Sequence, residues 1–289
     1  RKQFIKGFVL LYYSFYIIYK IFINQIISLI WYNFFGDKMI IDSHCHLLSN
    51  LYEDVDKEIK KTLDNGISKI IINGYDIKTS VEAVNLSLKY DEVYASVGIG
   101  PQNIENLPSN YGDLIKKLIN NNKKVVSVGE IGLDYYWTKE NKERQIEVFE
   151  TMLSIAKEKN LPVIVHSRNS VMDTYNLLKE YKVSGIMHCY SGSLDMAKKF
   201  IKLGFLIGVG GIVTFKNAKK IKEIVKEIPI ENISLETDSP YLSPEPLRGA
   251  LNNPLNLKYI IQKIADIKGL TNSYIMEKTT CNVMSKFDL

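Results

Sequence analysis

Histidine and cysteine are both scarce in this chain of 289 residues, with four of the first and three of the second. The three cysteines, Cys45, Cys189 and Cys281, are too few for a disulfide framework and fit a reducing compartment such as the cytoplasm. Eight prolines and 17 glycines exclude a collagenous or proline-rich low-complexity chain. A surplus of one sign of charge is also missing from most of the sequence. The net charge is +5, but residues 1–38 hold five of the basic groups (Arg1, Lys2, Lys6, Lys20, Lys38) against one acid, Asp37. Residues 39–289 are left with 32 basic and 31 acidic groups. That balance argues against a broad basic face tracking nucleic acid, so any such role must rest on a local site. What is present is apolar bulk: 46% hydrophobic residues and 24% charged ones, enough for the core of one large α/β domain and too much for a disordered chain.

The first 38 residues differ in kind from the rest. They hold 12 of the 31 aromatic residues, and the run from Phe8 to Phe35 is broken by one charge, Lys20. A bilayer takes about 20 apolar residues, so this run is long enough to span one. Arg1, Lys2 and Lys6 precede it, as in a signal anchor with a basic cytoplasmic side, and no A-x-A-like cleavage site follows. Two expectations stand: a membrane anchor, or sequence upstream of the natural start. The second is favoured because residue 1 is not methionine, Met39 opens the strand-like Met39-Ile40-Ile41-Asp42, and the lysine, isoleucine, asparagine and tyrosine bias resembles translated AT-rich non-coding sequence. The organisation is therefore an apolar extension over 1–38 and one domain over 39–289.

From Met39 the chain alternates short β-branched runs with segments of helical apolar spacing, the pattern of βαβ units around a parallel sheet. Strands are expected near Ile40 to Asp42, Lys69 to Asn73, Val93 to Val97, Val125 to Val128, Val163 to His166, Gly185 to His188, Phe205 to Gly208 and Ile233 to Thr237. Helices are expected over Glu53 to Asn65, Ile77 to Tyr90, Lys139 to Lys159, Asp173 to Tyr181, Leu194 to Leu203, Asn217 to Glu227 and Pro254 to Lys268, with Cys281 in a C-terminal helix. Eight strand-helix units in about 250 residues predict an α/β fold of the (β/α)8 TIM-barrel class. A doubly wound sheet is the alternative.

All four histidines fall at the ends of these strands. His44 and His46 flank one residue after the first, where a two-residue period points both side chains the same way. His166 closes the fifth strand and His188 the sixth, while Glu130 ends the fourth and Asp238 the eighth. Barrel enzymes build their sites at these carboxyl ends. Burying unpaired charges there is costly, and a divalent cation is the simplest partner for six converging groups. Nitrogen and oxygen donors suit Zn²⁺ or Mn²⁺, with Mg²⁺ less expected beside imidazoles. Six protein ligands exceed the needs of one open site, so two ions sharing a carboxylate are inferred, which makes hydrolysis the reaction class.

The stretches Asp42-Ser-His44-Cys-His46, Gly129-Glu130-Ile-Gly132-Leu-Asp134-Tyr135, His166-Ser-Arg168, His188-Cys-Tyr-Ser-Gly192, Glu236-Thr-Asp238-Ser-Pro240-Tyr-Leu242 and Arg248-Gly249-Ala-Leu-Asn252-Asn-Pro254 closely resemble the TatD family of metal-dependent hydrolases. The resemblance runs in order from Met39 to the end. It implies a TIM-barrel hydrolase of the metal-dependent amidohydrolase type, a deoxyribonuclease or exonuclease acting on the phosphodiester bonds of DNA. Carried over, His44 and His46 would bind one ion with Asp238, Glu130 would bridge, and His166 with His188 would bind the second. Asp238 would take or relay the proton of the attacking water. Arg168 and Arg248 are expected on the scissile phosphate, whose oxygens match the guanidinium fork.

The sequence departs from the family in one turn. Gly98-Ile-Gly100-Pro101-Gln102 stands where a G-x-H-P-H-like turn is usual, so a loop histidine near the site is absent and substrate contacts from that loop are in doubt. Asn169 stands where an acid often follows the His-x-Arg motif. Tyr135 and Tyr190 are expected to pack, Cys45 and Cys189 to be small buried groups turned from the cavity, and Gly208-Val-Gly210-Gly211 to be tight backbone near the pocket. Two other readings remain: a hydrolase of another ester or amide, such as an aminoacyl ester on tRNA, or a membrane-anchored binding protein without catalysis.

Overall fold

The computed structural model describes residues 39–136 and 140–289. The expectations for the extension over 1–38 and for the first residue of the helix beginning at Lys139 lie outside them. Eight parallel strands form one sheet in chain order, β1 (Ile41–Cys45), β2 (Lys69–Asn73), β3 (Val93–Val97), β4 (Val125–Asp134), β5 (Val163–Arg168), β6 (Gly185–Met187), β7 (Leu206–Val209) and β8 (Ile233–Leu235). Sequential parallel pairing from first to last is the order of a barrel, and the doubly wound alternative, which needs a strand-order switch, is excluded.

Nine helices are described: α1 (Val55–Asp64), α2 (Ile77–Lys89), α3 (Tyr111–Asn121), α4 (Lys142–Lys159), α5 (Val171–Tyr181), α6 (Leu194–Lys202), α7 (Lys219–Glu227), α8 (Leu257–Lys268) and α9 (Asn272–Phe287). Their boundaries follow local chemistry. Asp76 accepts from the Thr79 N–H at 2.7 Å while the Thr79 hydroxyl meets the Asp76 N–H at 3.0 Å, a reciprocal cap that starts α2. Gly269, at φ +66°, ends α8 in the left-handed region where glycine carries no Cβ penalty. Helix α3 was not among the expected elements. Asn110 makes no side-chain cap and Gly112 interrupts its first turn, so its start carries no signal, although Tyr111, Leu114, Ile115, Leu118 and Ile119 repeat at helical spacing.

Strand β4 runs six residues past its expected end. Its pairing with β5 shifts between Val128 and Ile131 and then continues through Asp134 opposite Arg168. The irregularity carries Gly129-Glu130 out of the regular ladder and a second segment of strand beyond it. Conversely, β6 and β8 stop at Met187 and Leu235, so His188 and Asp238 sit on the turns just above their strands.

The main core fills the space between strands and helices. A separate apolar layer at the strands' N-terminal end joins Ile41, Ile71, Val126, Ile164, Ile186 and Leu206 to Val283 and Phe287 of α9. The C-terminal helix thus seals the bottom of the barrel, and the Lys286 ammonium bonds the Gly204 carbonyl at 2.7 Å beside it. Among the described residues, no helix is long and apolar enough to cross a membrane.

Truncating a buried phenylalanine costs about 3–5 kcal/mol. Phe287→Ala is therefore expected to lower the urea-unfolding free energy by about that amount, while leaving ligand binding at the opposite end intact.

Candidate metal centre

The mouth opposite this seal depends on how β8 meets β1. Asp42 is fully buried, and its Oδ1 accepts the backbone N–H groups of His44 at 3.2 Å and Thr237 at 3.1 Å. Its Oδ2 accepts the Thr237 hydroxyl at 2.5 Å. The Ser43 hydroxyl donates to the Leu235 carbonyl at 2.8 Å. Just above, the Asp238 N–H donates to the His44 carbonyl and the His46 N–H to the Ser239 carbonyl, at 3.0 and 2.7 Å. These bonds stitch the seam and set His44, His46 and Asp238 side by side. Asp238 holds its place at φ +54°, in the left-handed region that few non-glycine residues adopt.

All six residues expected to ligate metal converge here. The Nε2 atoms of His44 and His46 are 3.1 Å apart. Glu130 Oε2 lies 3.3 Å from His46 Nε2 and 3.8 Å from His44 Nε2, and its Oε1 lies 3.1 Å from His166 Nδ1. Asp238 Oδ1 is 3.5, 3.6 and 3.8 Å from the Nε2 atoms of His44, His46 and His188. Three overlapping groups can each hold a cation: His44 with His46 and Glu130, His44 with His188 and Asp238, and Glu130 with His166 and His188.

The tautomers favour that use. His46 Nδ1 lies 2.8 Å from the Asn73 carbonyl oxygen, which can only accept, so the proton sits on Nδ1 and the Nε2 lone pair faces the cluster. His166 turns Nε2 to Asp134 Oδ2 at 3.0 Å and Nδ1 inward. His188 turns Nδ1 to Glu236 Oε1 at 3.2 Å and Nε2 inward. Four imidazole edges and two carboxylates packed at 3.1 to 3.8 Å are donor atoms in search of a cation, and nitrogen with oxygen donors in this number fits a divalent metal ion.

Electrostatics without metal point the same way. Burial, reinforced by the charges of His188 and His46, lowers His44 to about 4. Burial also works against charge on the other imidazoles, but hydrogen bonds to Asp134 and Glu130 lift His166 to about 9, and the carboxylates of Glu236 and Asp238 lift His188 to about 10. His44 and His188 are stacked with ring centroids 3.6 Å apart, so only one of the pair tolerates a proton. Although burial opposes it, bonds from His166 and His46 hold Glu130 well below the usual carboxylate range.

Comparison with known proteins decides the family. The sequence profile described as TatD related DNase matches residues 41–288. The chain belongs to the TatD family of metal-dependent hydrolases. It is 40% identical over 253 residues to the metal-dependent hydrolase YabD of Bacillus subtilis (strain 168), covering 86% of this chain and 99% of that protein. It is 35% identical over 257 residues to the metal-dependent hydrolase YcfH of Escherichia coli (strain K12), covering 86% and 96%. Among solved structures, the TatD homologue YjjV of Escherichia coli K12 superposes with a TM-score of 0.81 at 28% identity, covering 86% of this chain and 98% of that one. This TatD-family chain is thus a metal-dependent hydrolase on a TIM barrel.

Other expected residues find definite places. Arg168 stacks its guanidinium 3.6 Å from the Tyr136 ring centroid, and Arg248 stacks 4.1 Å from that of Phe215. Tyr135 is buried and donates to Asp173 at 3.0 Å, and Tyr190 is buried with its hydroxyl on the Ser193 carbonyl at 3.0 Å, so both pack as expected. Cys45 is buried as expected while Cys189 is only half-buried, and neither takes part in the candidate ligand groups. Sequence reasoning quoted Asp42, Asp134 and Glu236 inside its motifs without giving them roles. The available signal was an acid at a strand end with no surface partner. It also missed Tyr75 and Tyr241, whose rings lie 5.4 and 6.3 Å from that of His46.

Each buried donor left without its acceptor costs about 1–3 kcal/mol. Asp42→Ala orphans the two backbone N–H groups, since the Thr237 hydroxyl can turn to Ser239 Oγ at 3.0 Å, and the expected loss of unfolding free energy is about 2–6 kcal/mol. Thr237→Val, which deletes one hydroxyl, should cost about 1 kcal/mol in the same denaturation measurement.

Proposed function

We propose that this chain is a deoxyribonuclease that uses two divalent cations, Zn²⁺, Mn²⁺ or Mg²⁺, to hydrolyse phosphodiester bonds of DNA at ends or in single strands. The observation that carries the reading is the convergence of four imidazoles on Glu130 and Asp238 within 3.1 to 3.8 Å, set in the mouth of a TatD-family barrel. His44, His46 and Asp238 would hold one ion, His166 and His188 the other, and Glu130, which faces both sets through its two oxygens, would bridge. When bound, a pair of such ions acidifies water and neutralises charge on a phosphoryl group.

The residues around them supply position and proton handling. Asp238 has Oδ1 turned to three imidazoles, which leaves Oδ2 to take the proton of the attacking water. Arg168 and Arg248 stand on aromatic faces that hold their guanidinium planes, an arrangement suited to gripping phosphate oxygens and orienting the scissile group. The near-neutral charge balance of residues 39–289 agrees with a local grip on substrate rather than with a long basic track. Tyr241, half-exposed beside His46, offers a face on which a base can stack.

The purified protein is expected to release nucleotides from single-stranded DNA in a metal-dependent way, and Asp238→Ala to lower kcat about 10²- to 10⁴-fold. Bound metal without DNA hydrolysis would overturn the substrate while leaving the hydrolase. A second measurement reads the protons. His166 near 9 and His188 near 10 are protonated at neutral pH without metal, and ligation needs their inward nitrogens bare. Cation binding should therefore release protons at pH 7 and strengthen as the pH rises toward 9, as calorimetry in buffers of different ionisation enthalpy would show.

A further inference from the structure

The two halves of the cluster have different outer surroundings. On the His44/His46 side, the outward nitrogen of His46 meets a neutral carbonyl, that of Asn73, and His44 Nδ1 is buried without a hydrogen-bond partner among the described residues. On the His166/His188 side, each outward nitrogen meets a buried carboxylate. Asp134 Oδ2 lies 3.0 Å from His166 Nε2 in a hydrogen bond, and Glu236 Oε1 lies 3.2 Å from His188 Nδ1 as an ion pair without hydrogen-bond alignment, so His188 Nδ1, unlike His44 Nδ1, faces a carboxylate.

Both carboxylates are built in. Asp134 Oδ1 accepts the Tyr136 N–H at 2.9 Å. Its own backbone is gripped by Gln145, which accepts from the Asp134 N–H at 2.8 Å and donates to its carbonyl at 2.9 Å. Glu236 is fully buried, and its Oε1 also accepts the Cys189 N–H at 2.6 Å. Room for it comes from β7, since a Cβ on Gly208 would stand 2.5 Å from Glu236 Oε2. Gly208 is therefore tight backbone that leaves the space the Glu236 carboxylate fills.

We propose that Asp134 and Glu236 are positioning residues that make the His166/His188 position the tighter of the two cation positions, filled first, with the His44/His46 position filled second. The inference rests on the two-cation reading above. A carboxylate behind a ligating imidazole locks the ring and its tautomer and makes the inward nitrogen a stronger donor, and such partners are worth about 10- to 100-fold in metal affinity. The two carboxylates also bring negative charge close to the incoming cation in a poorly solvated site, where it is weakly screened. The His44/His46 side has no such pair.

The test titrates the metal-free full chain with Co²⁺ alone, following visible absorption and competition with a chelator. Wild type should bind in two resolved steps. Asp134→Asn and Glu236→Gln, which keep shape and remove charge, should each weaken the first step about 10- to 100-fold and leave the second nearly unchanged. His46→Asn should weaken the second step alone. Thermal melting of each metal-free variant identifies any that fails to fold, and the remaining carboxylate variant then decides. Two steps of which neither moves in the carboxylate variants, or of which only the second moves, would overturn the proposal and leave two-cation binding standing. A single step, or none, in wild type would overturn the two-cation reading itself and the proposal with it.

Discussion

The site depends on closing a barrel seam with a buried carboxylate. Seven strand pairings bring β1 to β8 in order, but a ladder alone leaves the first and last strands to find each other. Asp42 makes that join by gathering two backbone N–H groups and a hydroxyl from β1 and the turn above β8. Burial raises its carboxyl to about 7 despite these bonds. Because the same residues carry His44, His46 and Asp238, closure of the fold and assembly of half the cluster are one event.

The other half is supplied by an irregular strand. The break in β4 pairing carries Glu130 to the centre of the mouth, where it faces imidazoles on both sides, and the strand then resumes far enough to bring Asp134 behind His166. Gly132, at φ +141° and against the His166 carbonyl, permits this close approach of β4 to β5. One strand thus provides both a group facing the cluster and the support of a neighbour. The chemistry is concentrated at one end while apolar packing under α9 occupies the other, a division of labour usual for this architecture.

Much of this was legible in the sequence because its signals are local. Lys69–Asn73, with its Ile70-Ile71-Ile72 run, and Val93–Val97, with valine at both ends, were expected at the bounds they have. The H-x-H pair and the isolated His166 and His188 were legible because four histidines all stood at strand ends. What was hidden depends on contacts distant in sequence. Asp134 serves a histidine 32 residues away, and Glu236 contacts the Cys189 N–H 47 residues away, so no periodicity reveals either. The extension of β4 is set by its neighbour β5, not by its own composition. Helix α3 lacks a side-chain cap and carries Gly112 in its first turn, and it stands by packing Tyr111, Ile115, Leu118 and Ile119 on the core.

The span of the seam has a consequence for how the protein comes into being. Asp42 and Thr237 are 195 residues apart, so their contact closes a loop of nearly the whole domain. Chain entropy disfavours forming such a contact until shorter-range strand pairings have shortened the effective loop. On a ribosome, the residues of β1 emerge long before their partners in β8 are synthesised. The cluster is therefore completed only near the end of translation, and unfinished chains carry its histidines apart.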